Sequence, residues 1–398
     1  MPYLMLPKIL FPLLGFATAL CISAYAIPII IKVAVIRKLY DKPGGRKTHK
    51  RFVPNLGGIA IFAGFALAFI CWTSFSASVY LQYLILGLII LHFLGVKDDI
   101  VPLTPYKKLV GQVIAAAVLV VPGRFRINNL LGILGIYHLS VPVSIGLSIF
   151  AVILLINSFN LIDGIDGLTG GISLLISLLF SYIFWKSGLN NILVASLALA
   201  GALVGFLFYN RQPARIFMGD AGSMCIGYLM AAFSFQFMNS ASAVPTGLFH
   251  HNPDILLAVF IVPLFDTLRV FTIRILNKKS PFEADSNHIH HKLLRMGLSH
   301  GMTSITLTLV NLGFIIMAYF LQDLNPNLFV MIMLLAAGLL SFIPTYIVDH
   351  KNIKKYRIAP YSDFTVIQPQ ELVNHLTNKA PKASSSSPKP ARKHVDVI

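Results

Sequence analysis

The apolar residues of this chain arrive in long, nearly uninterrupted blocks, and that arrangement limits its fold more than any other feature. Eleven blocks lie at roughly 9–31, 56–72, 80–96, 109–121, 143–162, 168–185, 192–209, 221–238, 255–275, 303–321 and 328–348. A helix needs about 20 apolar residues to cross the roughly 30 Å hydrocarbon core of a bilayer. Within that core each backbone N–H and C=O must be bonded internally, so the blocks are expected to be helices. Of the whole chain 56% is hydrophobic and 12% charged, against about 25% charged in an ordinary soluble domain. The block at 109–121 is short, and the one at 56–72 carries Gly57, Gly58 and Gly64. The first block is too long for a removable signal peptide and lacks a cleavage site, so it reads as an anchor. Cys21, Cys71 and Cys225 all fall in apolar blocks and offer neither a disulfide framework nor a zinc pattern.

Charge placement sets the expected orientation. Eleven spans put alternate loops on opposite sides, and 26 Lys and Arg residues then lie on one side against 4 on the other. By the positive-inside rule the rich side is cytoplasmic, with the N-terminus outside and the C-terminus inside. The expected fold is an all-α polytopic membrane protein of about eleven transmembrane helices, with a short outer-face hairpin at 123–142. Residues 1–350 form the membrane-embedded domain, and 351–398 a basic cytoplasmic tail, disordered from about 377 where Ser, Pro and Lys dominate. The net charge of +17 does not point to nucleic acid, because the basic residues flank spans instead of forming one stripe. They suit anionic headgroups and anionic substrates.

Only fifteen residues are acidic, and many sit at the cytoplasmic ends of spans. Asp98 and Asp99 end the third block, and adjacent carboxylates call for a cation or a shared proton. Hard oxygen ligands at a membrane surface suit Mg²⁺, which binds through one or two carboxylates plus substrate phosphates. The densest feature is Asn157-x-x-Asn160-x-x-Asp163-Gly-x-Asp166-Gly. On a continuous helix a three-residue period sweeps these groups around half the circumference, where they would line a pocket wall. A cap explains one aspartate but not four spaced polar groups, which are costly near a membrane and usually functional. Phe217-Met-Gly-Asp220-Ala-Gly-Ser precedes the eighth block; Asp220 is either an N-cap or a metal carboxylate. His288, His290 and His291, with Arg295 close by, suit diphosphate recognition better than zinc, because no cysteine is near and the ligand set is incomplete.

Together and in order, these segments resemble the polyprenyl-phosphate N-acetylhexosamine-1-phosphate transferases, glycosyltransferase family 4. The motifs are Asp41-Lys-Pro-Gly-Gly-Arg-Lys-Thr-His, Pro54-Asn-Leu-Gly-Gly58, Asp98-Asp99, the asparagine–aspartate run, Met218-Gly-Asp220-Ala-Gly-Ser, and His288-x-His290-His291. The span count and the His-x-His-His form are similar to the bacterial undecaprenyl-phosphate N-acetylglucosamine-1-phosphate transferase branch. The resemblance implies transfer of GlcNAc-1-phosphate from a UDP-sugar to undecaprenyl phosphate with release of UMP, the first membrane step of an envelope glycan such as cell wall or O-antigen. It implies Mg²⁺ (or Mn²⁺) on Asp220 with Asp98 and Asp99, the latter pair being catalytic. Asp41, Asn157, Asn160, Asp163 and Asp166 would bind substrate, Phe217 would stack on uracil, and Asn210 and Lys50 or Arg51 would reach the uridine. His288, His290, His291 and Arg295 would engage diphosphate or sugar. The implied place is the bacterial inner membrane with a cytoplasmic active site; a homodimer is compatible with it. The sibling phospho-MurNAc-pentapeptide transferase is the alternative within the family. A proton-coupled transporter is the rival from another class, although transporter carboxylates belong near the bilayer midplane.

Overall fold

The computed structural model describes residues 6–37, 39, 53–75, 80–239, 253–278 and 287–350. Thirteen α-helices are found among them: α1 Leu6–Ile36, α2 Gly57–Trp72, α3 Leu81–Ile100, α4 Pro105–Val120, α5 Val141–Ile162, α6 Leu168–Lys186, α7 Asn190–Asn210, α8 Gly219–Asn239, α9 Pro253–Val259, α10 Ile261–Leu276, α11 Ile289–Arg295, α12 His300–Leu321 and α13 Pro326–His350. No β-strand longer than an isolated bridge occurs among the described residues. Each apolar block coincides with a helix, except that the ninth is split between α9 and α10. Among the described residues, seven helices are long and apolar enough to cross a membrane. The protein is therefore an all-helical, multi-pass membrane protein.

α8 is the hub. In its spanning window 89% of residues are buried, against 28% for α1 and α13, which turn much of their surface outward. α2, α3 and α5 all pack on it. Two glycines let backbones meet there. A Cβ on Gly58 of α2 would lie 2.1 Å from Gly222 N, and one on Gly95 of α3 would lie 2.4 Å from Ala221 Cα. Small residues at such crossings are how membrane helices gain contact without a hydrophobic driving force. Here they press the ends of α2 and α3 against the start of α8.

The split in the ninth block has a local cause. Pro263 has no N–H to donate to Val259 O, and its ring crowds that carbonyl, so the ladder opens at Phe260. The fully buried Asn311 of α12 fills the gap. Its Nδ2 donates to Val259 O at 3.0 Å, and its Oδ1 accepts from Val262 N at 3.4 Å. One amide thus satisfies two backbone groups that lipid could not.

At the end opposite the α3–α4 turn, residues 123–140 form the expected hairpin. It closes with Leu130 N to Tyr137 O at 2.8 Å and Leu139 N to Asn128 O at 3.1 Å, around a bridge between Asn129 and His138. Asn239 at the end of α8 and Asn327 at the start of α13 both bond to it.

Candidate active site

The site is built on the first turn of α8. Phe217 N donates to Pro54 O at 2.8 Å, Gly57 N to Phe217 O at 2.9 Å and Gly58 N to Met218 O at 2.8 Å, so the Pro54–Gly58 segment lies flat against the 217–218 loop. Gly219 then enters α8 at φ +73, where a Cβ would fall 2.1 Å from Asn55 O. The exposed N–H groups of this helix start are capped from another helix. Asp99 accepts from Asp220 N at 2.8 Å and from Ala221 N at 3.0 Å, and Asn55 Nδ2 steadies it at 3.2 Å. A carboxylate at a helix N-terminus also meets the positive end of the macrodipole. Asp99 thus supplies the cap, and the Asp220 side chain is left for other work.

Asp220 faces Lys108. The Lys108 ammonium lies 3.0 Å from Asp220 Oδ2 and 3.1 Å from Asp98 Oδ2, and donates to Asn160 Oδ1 at 3.4 Å. Asn160 Nδ2 in turn donates to Asp220 Oδ1 and to Ser223 Oγ. Asp98 is held by Leu103 N at 2.6 Å. Four helices therefore deliver one cluster: two carboxylates around a single ammonium, framed by an amide and a hydroxyl. Among the described residues no three His, Cys, Asp or Glu side chains gather into a metal-ligand group. A divalent cation here would have Asp98 and Asp220 and would need further oxygens from a ligand, a donor set that fits Mg²⁺ beside phosphates.

The asparagine–aspartate run does not stay on one helix. α5 ends at Ile162, and Asp163, at ψ 46, has already left helical geometry; Gly167, at φ +78, starts α6. Only Asn157 and Asn160 are helical neighbours, so the expected sweep around a single helix fails where the chain turns between α5 and α6. Asn157 pairs with Gln112 of α4 at 2.9 Å. Asp163 sits in the turn, where burial, with the Asp220 and Asp166 carboxylates nearby, pushes it up to about 7. Asp166 and Asn210 act as braces. Asp166 accepts from Ala214 N at 3.1 Å and lies 3.5 Å from His300 Nδ1. Asn210 takes Gly167 N at 2.9 Å and gives to Ile216 O at 2.9 Å.

The histidine segment packs against the same turn. His290 Nε2 lies 2.6 Å from where a Cβ on Gly164 would stand, so Gly164 is what lets this helix approach. Burial, aided by His291, pushes His290 down to about 3, leaving it neutral. His288 and His290 stack with ring centroids 5.5 Å apart, and His290 and His291 lie at 4.3 Å. His288 is buried and bonded to Asp266, while Arg295 ends α11 half-buried. Phe217 is half-buried beside Gly57. Asp41 and Lys50 lie outside the described residues. Lys108, Asn55, Gln112, Asp266 and Arg269 were not singled out by sequence as site residues. Lys108 was one lysine among many in basic loops; its place three residues into a helix that begins Thr-Pro was the available signal.

Residues 81–238 match the family described as glycosyl transferase family 4. A Bacillus subtilis (strain 168) protein named probable undecaprenyl-phosphate N-acetylglucosaminyl 1-phosphate transferase is 31% identical over 313 residues, covering 78% of this chain and 84% of its own length. The undecaprenyl-phosphate alpha-N-acetylglucosaminyl 1-phosphate transferases of Salmonella typhi and Escherichia coli (strain K12) are 31% and 30% identical, each over 70% of this chain and 75% of theirs.

Proposed function

This chain belongs to glycosyl transferase family 4, and we propose that it transfers N-acetylglucosamine-1-phosphate from UDP-N-acetylglucosamine to undecaprenyl phosphate, releasing UMP. The observation that carries the reading is the Asp98–Lys108–Asp220 cluster with Asn160, at one shared end of four helices. In the reaction an oxygen of the lipid phosphate attacks the β-phosphorus of the UDP-sugar, and the bond from that phosphorus to the bridging oxygen breaks. UMP leaves with that oxygen.

Two anions must meet, so charge neutralisation matters more than a strong base. A phosphate monoester has its second pKa near 6 and is largely dianionic at neutral pH. Lys108 offers the fixed positive charge, and Asn160, which also donates to Ser223 Oγ, holds the Asp220 carboxylate in place. Asp98, already accepting from Leu103 N and Lys108, is arranged as a fixed anion that orients the ammonium. Mg²⁺, held by Asp98 and Asp220, would supply Lewis-acid stabilisation of charge on the transferring and leaving phosphates. Asp99 maintains the start of α8 and, through it, the direction of Asp220.

The same reading puts the site end at the cytoplasmic face of a bacterial inner membrane. It takes eleven crossings, with α9 and α10 forming one broken span, and the hairpin at 123–140 outside. The charge division of 26 to 4 supports that orientation. The product would enter envelope glycan assembly. Membranes bearing the protein, given undecaprenyl phosphate and a panel of radiolabelled UDP-sugars, should form a chloroform-soluble product with UDP-N-acetylglucosamine. Product only from the UDP-MurNAc-pentapeptide would reassign the donor, and none from any nucleotide sugar would refute the transferase.

A further inference from the structure

α10 carries an ion pair, its carboxylate buried and its guanidinium largely so, that the mechanism above does not use. Asp266 and Arg269 sit one turn apart, with Arg269 Nη2 2.9 Å from Asp266 Oδ1. Among the described residues, the pair's further polar contacts go to three consecutive residues. Asp266 Oδ2 lies 2.8 Å from His288 Nδ1, Asp266 Oδ1 accepts from Ile289 N at 3.0 Å, and Arg269 Nη2 donates to Asn287 O at 2.5 Å. Asp266 is 2% exposed and His288 4%. A buried ion pair is a poor way to gain stability, since desolvation offsets most of its attraction. Among the described residues, this one serves the entry to α11.

The chemistry of the contacts defines what is held. With Arg269 as counter-ion, the Asp266 carboxylate is ionised and can only accept, so the proton on His288 Nδ1 points at it. That fixes both the ring's orientation and its tautomer, and leaves Nε2 as the atom for a ligand. Because His290 stacks on His288, and His291 lies against His290, the setting of the first ring is passed to the next two. A neutral acceptor could cap Ile289 N equally well; the imidazole bond is the part that needs the charge.

We propose that Asp266 and Arg269 are positioning residues for the diphosphate of the nucleotide-sugar donor, acting through His288. The inference rests on the transferase reading above and adds the α10 pair to it. Its signature is selective: the donor site depends on the pair, and the lipid-phosphate site does not. It is also non-additive, because a residue that acts through His288 has nothing to act on once His288 is gone.

The test is a double-mutant cycle of Asp266→Asn, His288→Ala and the double variant, in the full-length detergent-solubilised protein. Asp266→Asn should raise KM for UDP-N-acetylglucosamine about tenfold or more, the cost of one misplaced charge-assisted hydrogen bond. KM for undecaprenyl phosphate should stay within about twofold. In the His288→Ala background the Asp266 change should add nothing. A full additive penalty, or an equal rise in both KM values, or no rise, overturns the inference. If Asp266→Asn does not yield folded protein by gel filtration and thermal unfolding, Arg269→Lys takes its place under the same criteria. Calorimetric titration with UDP-N-acetylglucosamine runs the same cycle on Kd. A wild type that binds but never transfers contradicts the transferase alone; a cycle that is additive in Kd contradicts the positioning role alone; a wild type that does not bind contradicts both.

Discussion

Replacing Lys108 by methionine keeps the length and packing of the side-chain stem and removes one charge from between two carboxylates. At the observed 3.0 and 3.1 Å, each contact carries a Coulomb attraction of about 5 kcal/mol at an effective dielectric constant of about 20. That is a gross figure, because desolvation offsets part of it. Removing one partner of a buried pair costs about 3–5 kcal/mol. Lys108 is 17% exposed and Asp220 28%, so water screens some of the charge, and about 2–4 kcal/mol is the appropriate range. If the ammonium also offsets phosphate charge in the transition state, kcat should fall about 30- to 1000-fold. The assay is initial-rate transfer in detergent with both substrates saturating and the amount of folded protein matched. Turnover within about threefold of wild type would show that Lys108 merely fills the gap between Asp98 and Asp220, and would remove it from the chemistry.

Other consequences are equally specific. Asn311→Leu should orphan Val259 O and Val262 N, costing about 2–5 kcal/mol for two buried backbone groups and lowering the thermal midpoint by several degrees; an unchanged midpoint would mean the break is satisfied some other way. Asp163 at about 7 lies above the ordinary carboxylate value of about 3.9, so the unfolded chain ionises first and folded stability falls as pH rises through that interval. Asp163→Asn should therefore stabilise the ligand-free protein by up to about 3 kcal/mol more at pH 8 than at pH 5; the same gain at both pH values contradicts the assignment. Reporters fused after residue 350 and at Asn239 should report cytoplasm and outer side respectively, and the reverse pattern would overturn the orientation. Asp220→Asn should abolish transfer while the protein remains folded in the membrane, and wild-type activity should be lost in excess chelator; full activity there refutes the role given to Mg²⁺.

How much of this was legible in the sequence depended on the range of the interaction involved. The helices were, because an apolar run of about 20 residues has one viable backbone solution in lipid. Pro263 marks the split between α9 and α10, but its partner Asn311 is 52 residues from Val259, and nothing local pairs them. Asp98, Asn160 and Asp220 stood out because polar groups at the ends of apolar spans are costly. Their division of labour did not. Asp99 resembles its neighbour in sequence, yet 121 residues later it caps α8 and so frees Asp220 from that task. The three-residue period in Asn157–Asp166 suggested one continuous helix, whereas the chain leaves helical geometry at Asp163 and re-enters it through Gly167 at φ +78, which hands Asp166 to Ala214 and His300. Asp266 and Arg269 stand three residues apart, and nothing local in the sequence pairs them with His288, which lies 22 residues beyond Asp266.

The central claim is that the sugar moves together with its phosphate, and the position of an isotope decides it. UDP-N-acetylglucosamine carrying ³²P at the β-phosphorus should be supplied with undecaprenyl phosphate to the solubilised protein, and the products separated by solvent extraction. The account predicts that the label enters the chloroform phase with the lipid while unlabelled UMP stays in water. Label retained in water as UDP, with the sugar alone on the lipid, would contradict it.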